Sequence, residues 1–261
     1  MQTVFDQVSP LYDEEFTHTP IGRKQRDIVW SCLQKVALTP EPMNILEVNC
    51  GTGEDAGWLA KMGHSVLATD ISSGMVEVAS SKNKIPGLSF RQADLQNLDG
   101  LVDAGSVDLV YSNFGGLNCV SPTGFRKFLE QAANVLKPGG SLVVVVMPDF
   151  CWMESLYYAI KEPRMVFRRI IGRSPAVNDS IPYDVFYYNP ERIKSLASGL
   201  FEPGFLSPVG FFLPPSNLRV FFSKHPGILD RLERLEKCFS GFSPVAFASD
   251  HFFFQFKKSK R

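Results

Sequence analysis

Apolar residues along the middle of the chain follow two alternating patterns. Short apolar runs, typical of buried strands, cover residues 44–48, 65–69, 88–92, 107–111 and 141–147. Helices are predicted between them at residues 54–62, 74–80 and 122–136, the last closed by Lys137-Pro138-Gly139-Gly140. Strands without polar alternation are covered on both faces, as in a parallel sheet. The order of strands and helices therefore predicts a doubly wound α/β fold.

The segments on either side of this region have different patterns. Apolar positions at helical spacing predict a helix over 22–37, within an N-terminal helical cap that spans residues 1–40. After Pro148 the strand–helix alternation stops, and residues 150–185 are rich in aromatic and basic side chains. We interpret residues 150–185 as an inserted substrate lid over the carboxyl ends of the strands.

Beyond this insertion the alternation partly resumes. A helix is predicted near residues 190–198, and the apolar segments 205–213 and 251–256 can pair as an antiparallel hairpin on the sheet edge. With the five earlier strands, this hairpin makes a seven-stranded, mostly parallel sheet. We therefore expect one core formed by residues 1–149 and 186–261 and interrupted by the lid.

Composition and charge narrow the classes of function. The chain has 261 residues, of which 44% are hydrophobic, so it can bury one sizeable core without extensive disorder. Its 27 basic and 27 acidic residues give no net charge, which argues against nucleic acid as a partner. The longest apolar run has about six residues, where roughly 20 would be needed, so we expect no transmembrane segment.

The cysteines and the N-terminus bear on location. The five cysteines are odd in number and widely spaced, with neither a C-x-x-C pair nor a zinc-type pairing. The first residues lack the basic start and apolar run of a signal peptide. We expect reduced thiols, no metal site and a cytoplasmic protein.

A glycine-rich turn between the first strand and the following helix is the main candidate for ligand binding. Gly51 and Gly53 allow a sharp turn and a close approach to a ligand at the carboxyl edge of the sheet. The spacing Gly51-x-Gly53-x-x-Ala56 also fits a relaxed dinucleotide fingerprint, so an NAD-dependent oxidoreductase is an alternative. However, Glu54 and Asp55 open the helix and would repel a pyrophosphate. S-adenosylmethionine (SAM) carries no phosphate but has a sulfonium and an ammonium group, and is therefore favoured.

Asp70 is the second candidate. It ends the second predicted strand, 17 residues after Gly53, where an acidic side chain can accept both hydroxyls of a ribose. Because NAD and SAM both contain a ribose, Asp70 supports a nucleoside ligand without distinguishing the two.

Five motifs in order give the chain a specific resemblance. ILEVNCGTG, VLATDIS, FRQADLQNL, VDLVYSNFGGLN and LKPGGSLVVVVM, within residues 44–147, resemble those of the class I SAM-dependent methyltransferases. The opening FDQVSPLYD looks like that of the ubiquinone/menaquinone-type small-molecule methyltransferases. The resemblance implies a Rossmann-like fold and SAM as cofactor, with SAH, its demethylated form, as product. It also implies methyl transfer to a small-molecule or lipid-like acceptor, and we favour oxygen or carbon as the acceptor atom.

At the methionine end of SAM, the resemblance implies roles for five residues. Glu47 would orient the glycine loop and the methionine ammonium, and Gly51 and Gly53 would form the floor under the methionine. Asn113 and Phe114, after the fourth strand, would contact the methionine and face the acceptor.

At the nucleoside end, the implied roles fall on five others. Asp70 would hold the ribose, and Ile71 would lie against the adenine. Asp94 would accept the adenine amino group, with Leu95 beside it. Tyr12, from the N-terminal cap, would close the cofactor pocket from above.

Asn49 is the departure from the family pattern. The family often has glycine where this chain has Asn49, a residue that tolerates unusual backbone angles better than most. We include Asn49 among the cofactor-binding residues. The departure leaves open a non-catalytic methyltransferase-like binding protein.

No catalytic residue is assigned from the sequence. An Asp250–His251 pair could form a catalytic base, but a structural histidine on the surface is the favoured interpretation, as it is for His64. An oxidoreductase would need a catalytic set such as Tyr-x-x-x-Lys, and Tyr158 and Lys161 are one residue too close. An amino-directed DNA methyltransferase would need an Asn/Asp-Pro-Pro-aromatic motif after the fourth strand, which is absent.

Residues 161–173 of the lid contain five basic residues and one acidic residue among apolar ones. The favoured interpretation is a solvated helix face with an apolar underside. A weak contact with an anionic substrate, a lipid or a membrane surface is the alternative.

Overall fold

The computed structural model describes residues 4–98, 100–178 and 181–259. Its strands are β1 (Asn44–Val48), β2 (Ser65–Asp70), β3 (Leu88–Gln92), β4 (Val107–Ser112), β5 (Leu136–Val146), β6 (Arg173–Asn178), β7 (Ile181–Phe186), β8 (Phe201–Val209) and β9 (His251–Lys258). Its α-helices are α1 (Val4–Val8), α2 (Pro20–Val36), α3 (Glu54–Lys61), α4 (Ser73–Lys82), α5 (Pro122–Val135), α6 (Trp152–Lys161), α7 (Pro190–Ala197), α8 (Arg219–Ser223) and α9 (Pro226–Cys238).

Seven strands form one sheet in the order β3-β2-β1-β4-β5-β9-β8. Strands β1 to β5 pair in parallel, and β9 runs antiparallel to both of its neighbours, β5 and β8. This arrangement confirms the predicted doubly wound, mostly parallel sheet with an antiparallel edge hairpin. The strand order reverses between β1 and β4, and open α/β sheets bind ligands at the carboxyl end of such a switch point.

The sheet is apolar on both faces, as the uninterrupted apolar strands predict. Adjacent residues of β1 enter different cores, Leu46 the cluster that contains Phe125 and Phe128, and Ile45 the cluster that contains Val29 of α2. Successive strand side chains point to opposite faces, so a strand buried between two helix layers has no polar positions to alternate.

Two strands begin four or more residues earlier in the structure than predicted. The segment predicted as a turn from Lys137 to Gly140 lies within β5, where Gly139 has a φ of 75° and the pairing with β4 shifts register. Strand β8 begins at Phe201, ahead of the predicted residues 205–213, and its pairing with β9 shifts between Pro203 and Leu206. Proline and glycine at these irregular stretches resemble turn residues in the sequence, although the chain continues as strand.

Residues 150–185, interpreted as an insertion from the sequence, contain structure outside the main sheet. Helix α6 is followed by a 3₁₀ turn at Pro163–Met165, and β6 and β7 pair with each other as a separate two-stranded sheet. In the described parts of the chain, no helix has the length and apolar character to cross a membrane.

Candidate active site

A cavity of about 500 Å³ opens at the carboxyl end of the sheet, at the switch point between β1 and β4. Its volume is in the range of small-molecule sites. The lining residues come from three parts of the chain: the loops after β1 to β5, the N-terminal cap, and residues that follow Pro148.

Eight of the eleven predicted cofactor residues line this cavity: Tyr12, Asn49, Gly51, Asp70, Ile71, Asp94, Leu95 and Phe114. The other three, Glu47, Gly53 and Asn113, are not among its lining residues. The structure therefore brings most of the predicted set to one place and puts three members behind it.

Asp70 is held by backbone groups from two loops. Its Oδ2 accepts a hydrogen bond from the Gly51 N–H at 2.9 Å, and its Oδ1 accepts one from the Ser72 N–H at 2.9 Å. Burial raises the pKa of Asp70, while these two N–H groups oppose the shift. Each carboxylate oxygen keeps a lone pair that can accept from a further donor in the cavity.

Asp94 occupies a more open position. It is exposed, and its Oδ1 accepts a hydrogen bond from the Gln96 N–H at 2.9 Å within the loop after β3. Ile71 is 46% exposed at the cavity edge, so it presents an apolar surface to which a flat ring could bind.

Glu47 is buried beneath the glycine loop, and one oxygen of its carboxylate, Oε2, is left without a hydrogen bond among the described residues. Burial and the nearby Asp55 carboxylate raise the pKa of Glu47 well above its ordinary value, although Arg26 opposes the shift. Burial of a carboxylate without a compensating charge costs free energy, so a cation bound next to Glu47 would stabilise its ionised form.

Asp55 is turned away from the cavity, which changes the expectation that Glu54 and Asp55 together repel a pyrophosphate. Its carboxylate accepts hydrogen bonds from Arg26, from Trp30 Nε1 at 2.6 Å and from Asn113 Nδ2 at 3.0 Å. The repulsion of a pyrophosphate therefore rests on Glu54, because Arg26 compensates the charge of Asp55. Arg26, on α2, was missed because the sequence does not distinguish it from the other basic residues of this helix, which was predicted only as part of the N-terminal cap.

Gly53 is required for packing. It has a φ of 76°, and a Cβ there would lie 2.8 Å from the Phe90 ring and 2.9 Å from Ala79. Glycine at this position lets α3 pack closely against β3 and α4 while remaining behind the cavity.

Asn49 adopts the left-handed conformation that glycine would favour, with a φ of 57°. Its Nδ2 donates to Ser112 Oγ at 3.2 Å. A Cβ on Gly116 would lie 2.4 Å from Asn49 Cβ, so the absence of a side chain at Gly116 makes room for Asn49. The departure from the family pattern is thus accommodated by a second glycine.

The N-terminal cap is attached to the cofactor loops by two aspartates. Asp6 Oδ1 accepts from Ser72 Oγ at 2.6 Å and from the Gly74 N–H at 2.9 Å. Asp13 accepts from the Thr52 hydroxyl of the glycine loop and from Lys82 Nζ at 2.6 Å. These bonds hold the segment that carries Tyr12 over the loop.

The rest of the cavity lining combines apolar residues with a buried network of charges. The apolar residues are Phe5, Phe16, Cys119, Val120, Met147 and Val185. In the network, Arg169 donates to Glu154 at 2.6 Å and to Asp250 Oδ1 at 2.7 Å, and Arg168 also donates to Glu154. Arg168 and Arg169 outweigh burial and hold the pKa of Glu154 below its ordinary value, and His251 together with Arg169 does the same for Asp250.

This network corrects the interpretation of the basic stretch 161–173. Arg169 is buried and Arg168 is only 27% exposed, and both point inward to the cavity rather than to solvent. Lys161 and Arg164 remain exposed. The stretch is therefore less basic on its outer surface than its composition indicates.

His251 lines the cavity and is 6% exposed, so its interpretation as a surface residue is wrong. The first residue of an antiparallel strand lies at the carboxyl edge of its parallel neighbours. Val146 at the end of β5 pairs with Phe252, which places His251 at that edge. His64 is also buried, contrary to expectation, and its Nδ1 accepts from the Met43 N–H at 3.3 Å.

The comparisons with known proteins agree with this geometry. Residues 45–140 match a family model described as a methyltransferase domain. A demethylmenaquinone methyltransferase from Clavibacter sepedonicus is 35% identical over 148 residues, which are 55% of this chain and 56% of that protein. One from Bacteroides fragilis is 28% identical over 81% of this chain and 84% of its own length.

The solved structure of a SAM-dependent methyltransferase from Methanosarcina mazei shows the same fold, with a TM-score of 0.60. It is 16% identical, and the match covers 88% of this chain and 98% of that one. Residues 45–140 are thus similar to methyltransferase domains, and the chain shares the fold of a SAM-dependent methyltransferase. The chain spans about half the length of the Clavibacter relative.

The residues at the cavity fit SAM, the cofactor named for the Methanosarcina mazei structure. The buried Glu47 Oε2 has no hydrogen-bond partner among the described residues. An ammonium bound near it, beneath the glycine loop, would compensate its negative charge. Asp70 offers the fixed acceptor that a ribose requires. The acidic residues on this side suit a ligand that carries two positive groups and no phosphate.

Proposed function

We propose that this protein transfers the methyl group of SAM to the oxygen or carbon of a small, quinone-like or lipid-like acceptor. The observation that carries the proposal is the mixed lining of the cavity. It combines acidic loops suited to SAM with apolar residues that include Phe5, Phe16 and Met147. An apolar acceptor would bind to these apolar residues and keep water away from the reacting atoms.

The relatives support the same acceptor class. Those from Clavibacter and Bacteroides are named for demethylmenaquinone, a quinone with an apolar tail. The sulfonium of SAM supplies an activated methyl group when it is bound. The protein's task is then to align the acceptor with that group in a dry pocket.

We propose the cofactor roles of the eleven predicted residues in two groups. The eight that line the cavity would contact SAM directly, with Asp70 at the ribose and Tyr12 above it. Glu47, Gly53 and Asn113 would support the loops from behind, with Glu47 also compensating the ammonium.

The alternatives have less support. Neither Tyr158 nor Lys161 lines the cavity, so the pair closest to an oxidoreductase motif is not near a bound dinucleotide. A non-catalytic binding protein was suggested by Asn49, and Gly116 provides the space that Asn49 needs.

Methyl transfer to a defined acceptor tests the proposal. The chain would be incubated with SAM and a short-tailed naphthoquinol that lacks the ring methyl group, and SAH and the methylated product would be measured by mass spectrometry. We expect equal amounts of SAH and product, and NMR of the product assigns oxygen or carbon. SAM binding without methylation of this quinol or its tail-less analogue would contradict a quinone-like acceptor.

We also propose a cytoplasmic protein that contacts membrane surfaces weakly through residues 150–185. All five cysteines are free thiols, which suits a reducing compartment. Ile160 and Ile171 are 77% and 79% exposed, close in sequence to the exposed Lys161 and Arg164. Sedimentation with anionic vesicles should exceed that with neutral vesicles and fall in an Ile160→Ser variant. Equal sedimentation would contradict this contact.

A further inference from the structure

We propose that His251 is the general base of the reaction and that Asp250 positions it. The acceptor class that this inference implies is a compound with an ionisable hydroxyl on an aromatic ring. The inference rests on the proposed methyl transfer and adds a residue role and a chemical requirement on the acceptor.

His251 lies where it can contact an acceptor bound in the cavity. Its imidazole lines the cavity and contacts the Phe114 ring edge-on, with ring centroids 5.2 Å apart. His251 Nδ1 lies 3.3 Å from Asp250 Oδ2 without an aligned hydrogen bond to it, and it has no other partner among the described residues. That proximity leaves Nε2, on the far side of the ring, as the nitrogen available to a bound acceptor. In structures without substrate, catalytic hydrogen bonds are often loosely aligned, as this pair is.

Asp250 is itself fixed by three groups from distant parts of the chain. Gln25 Nε2 donates to Asp250 Oδ2 at 3.1 Å, and Arg169 Nη2 donates to Oδ1 at 2.7 Å. Arg169 Nη1 also donates to the Asp250 main-chain oxygen at 2.9 Å. A carboxylate held ionised beside Nδ1 favours the tautomer with a proton on Nδ1 and a free lone pair on Nε2.

The surroundings of His251 contain charged groups from several elements. Glu154 on α6 and Arg169 pair with each other next to Asp250. From α2, Arg26 packs over the Phe114 ring at 5.3 Å, on which His251 also packs. The arginines therefore compensate the carboxylates that lie next to the imidazole.

Other titratable groups in the cavity are poorer bases. Burial raises the pKa of Tyr12 and of Cys119 to about 12, which keeps both protonated near neutral pH. Asp70 and Asp94 lie on the cofactor side. Of the four histidines, all within the described ranges, His251 alone lines this cavity. His251 is therefore the group best suited to accept a proton near neutral pH.

His251 Nε2 takes the hydroxyl proton as the ring oxygen, or the ring carbon conjugated to it, forms a bond to the methyl carbon. The bond between sulfur and the methyl carbon breaks, and its electron pair stays on sulfur to give SAH. The positive charge leaves the sulfonium and appears on the imidazolium, where Asp250 compensates it. When carbon is methylated, the resulting ring ketone then loses the hydrogen of that carbon as a proton to solvent and regains a proton on oxygen, which restores the aromatic ring.

Binding of 4-nitrocatechol, an aromatic hydroxyl compound whose ionised form absorbs at longer wavelength, tests the base without turnover. The SAH-bound protein would be titrated with this probe at several pH values, as wild type, His251→Gln and the control His225→Gln. We expect the phenolate-to-phenol ratio of the bound probe to exceed that of the free probe about tenfold in wild type and in the control. The gain should be absent in His251→Gln. No increase in wild type, or the same increase in all three proteins, would overturn the proposal.

Methyl transfer provides the second readout. His251→Gln should lower kcat about 10²–10⁴-fold with little change in KM or in SAH affinity. Asp250→Asn, checked by thermal melting, should lower the probe's phenolate fraction, and Asp250→Glu should restore part of it. Probe ionisation that depends on His251 but is not accompanied by quinol methylation would refute the proposed acceptor and keep the base. Methylation with an unchanged kcat in His251→Gln would refute the base and keep the proposed function.

Discussion

The two sides of the cavity are built in different ways. On the cofactor side, Asp70 is held by backbone N–H groups of neighbouring loops, and most of the predicted residues lie at or shortly after the carboxyl end of a strand. On the acceptor side, Asp250 is held by Gln25 and Arg169, which are 225 and 81 positions away in sequence. The cofactor side is thus built from backbone contacts at the ends of neighbouring strands. The acceptor side depends on side-chain pairs between residues that are distant in sequence. Substitutions on the acceptor side should therefore affect stability most, and those on the cofactor side should affect binding.

Arg169→Leu should cause the largest loss of stability. This substitution removes the arginine that pairs with Asp250 and one of the two arginines that pair with Glu154. Removal of one partner from a buried ion pair typically costs about 3–5 kcal/mol of unfolding free energy. Urea denaturation of the full chain measures the free energy of unfolding.

Arg168→Leu is the matched control for this prediction. Arg168 also donates to Glu154 but is 27% exposed, so its loss should cost about 1 kcal/mol or less. Equal losses of unfolding free energy for the two arginines would contradict the larger contribution expected from the buried Arg169.

Gly116→Ala should produce the next largest effect. Its Cβ would lie 2.4 Å from Asn49 Cβ, and such overpacking typically costs about 1–3 kcal/mol of unfolding free energy. In an Asn49→Gly background the same substitution should cost much less, because the opposing side chain is gone. A double-mutant cycle by urea denaturation that gives additive losses would refute the accommodation of Asn49 by Gly116.

Asp70→Ala should weaken SAM binding by about 1–3 kcal/mol, the scale of a lost charged hydrogen-bonding partner. Because Asp70 also fixes the Gly51 and Ser72 N–H groups, Asp70→Asn should retain part of the affinity. Isothermal titration with SAM measures both variants. Affinity unchanged in Asp70→Ala would show that SAM binds elsewhere.

Glu47→Gln should stabilise the free protein by on the order of 1 kcal/mol near neutral pH while weakening SAM binding. The pKa of Glu47 is raised in the folded state, so the folded chain binds more protons than the unfolded chain. Its contribution to the unfolding free energy therefore falls as pH rises above the ordinary value of 4.5. Urea titrations of both proteins across this range should show a flatter pH dependence for Glu47→Gln, and parallel curves would contradict the assignment.

The contrast between the two sides also explains how much the sequence could predict. The strands at 44–48 and 88–92 were correctly bounded because apolar runs between turn residues identify them directly. Gly51, Gly53 and Asp70 followed from position, since the carboxyl ends of parallel strands meet at one sheet edge, and the other cofactor candidates followed from the family resemblance. Asp70 and Gly51 are in direct contact, as that argument requires.

The residues that the sequence left unassigned depend on tertiary pairing. His251 was interpreted as a surface residue because nothing in its local pattern records that Arg169 and Gln25 fix its neighbour. One signal could have located it, since the predicted antiparallel hairpin already implied that the start of β9 lies at the carboxyl edge. The start of β8 was misplaced because Pro203 and Gly204 interrupt its pattern.

Calorimetric titration of the full chain with SAM, SAH and NAD tests the central claim most directly. The acidic loops, the unpartnered Glu47 and the fixed Asp70 predict that SAM and SAH bind at one site per chain and that NAD does not. Binding of NAD alone, or of none of the three, would contradict the account.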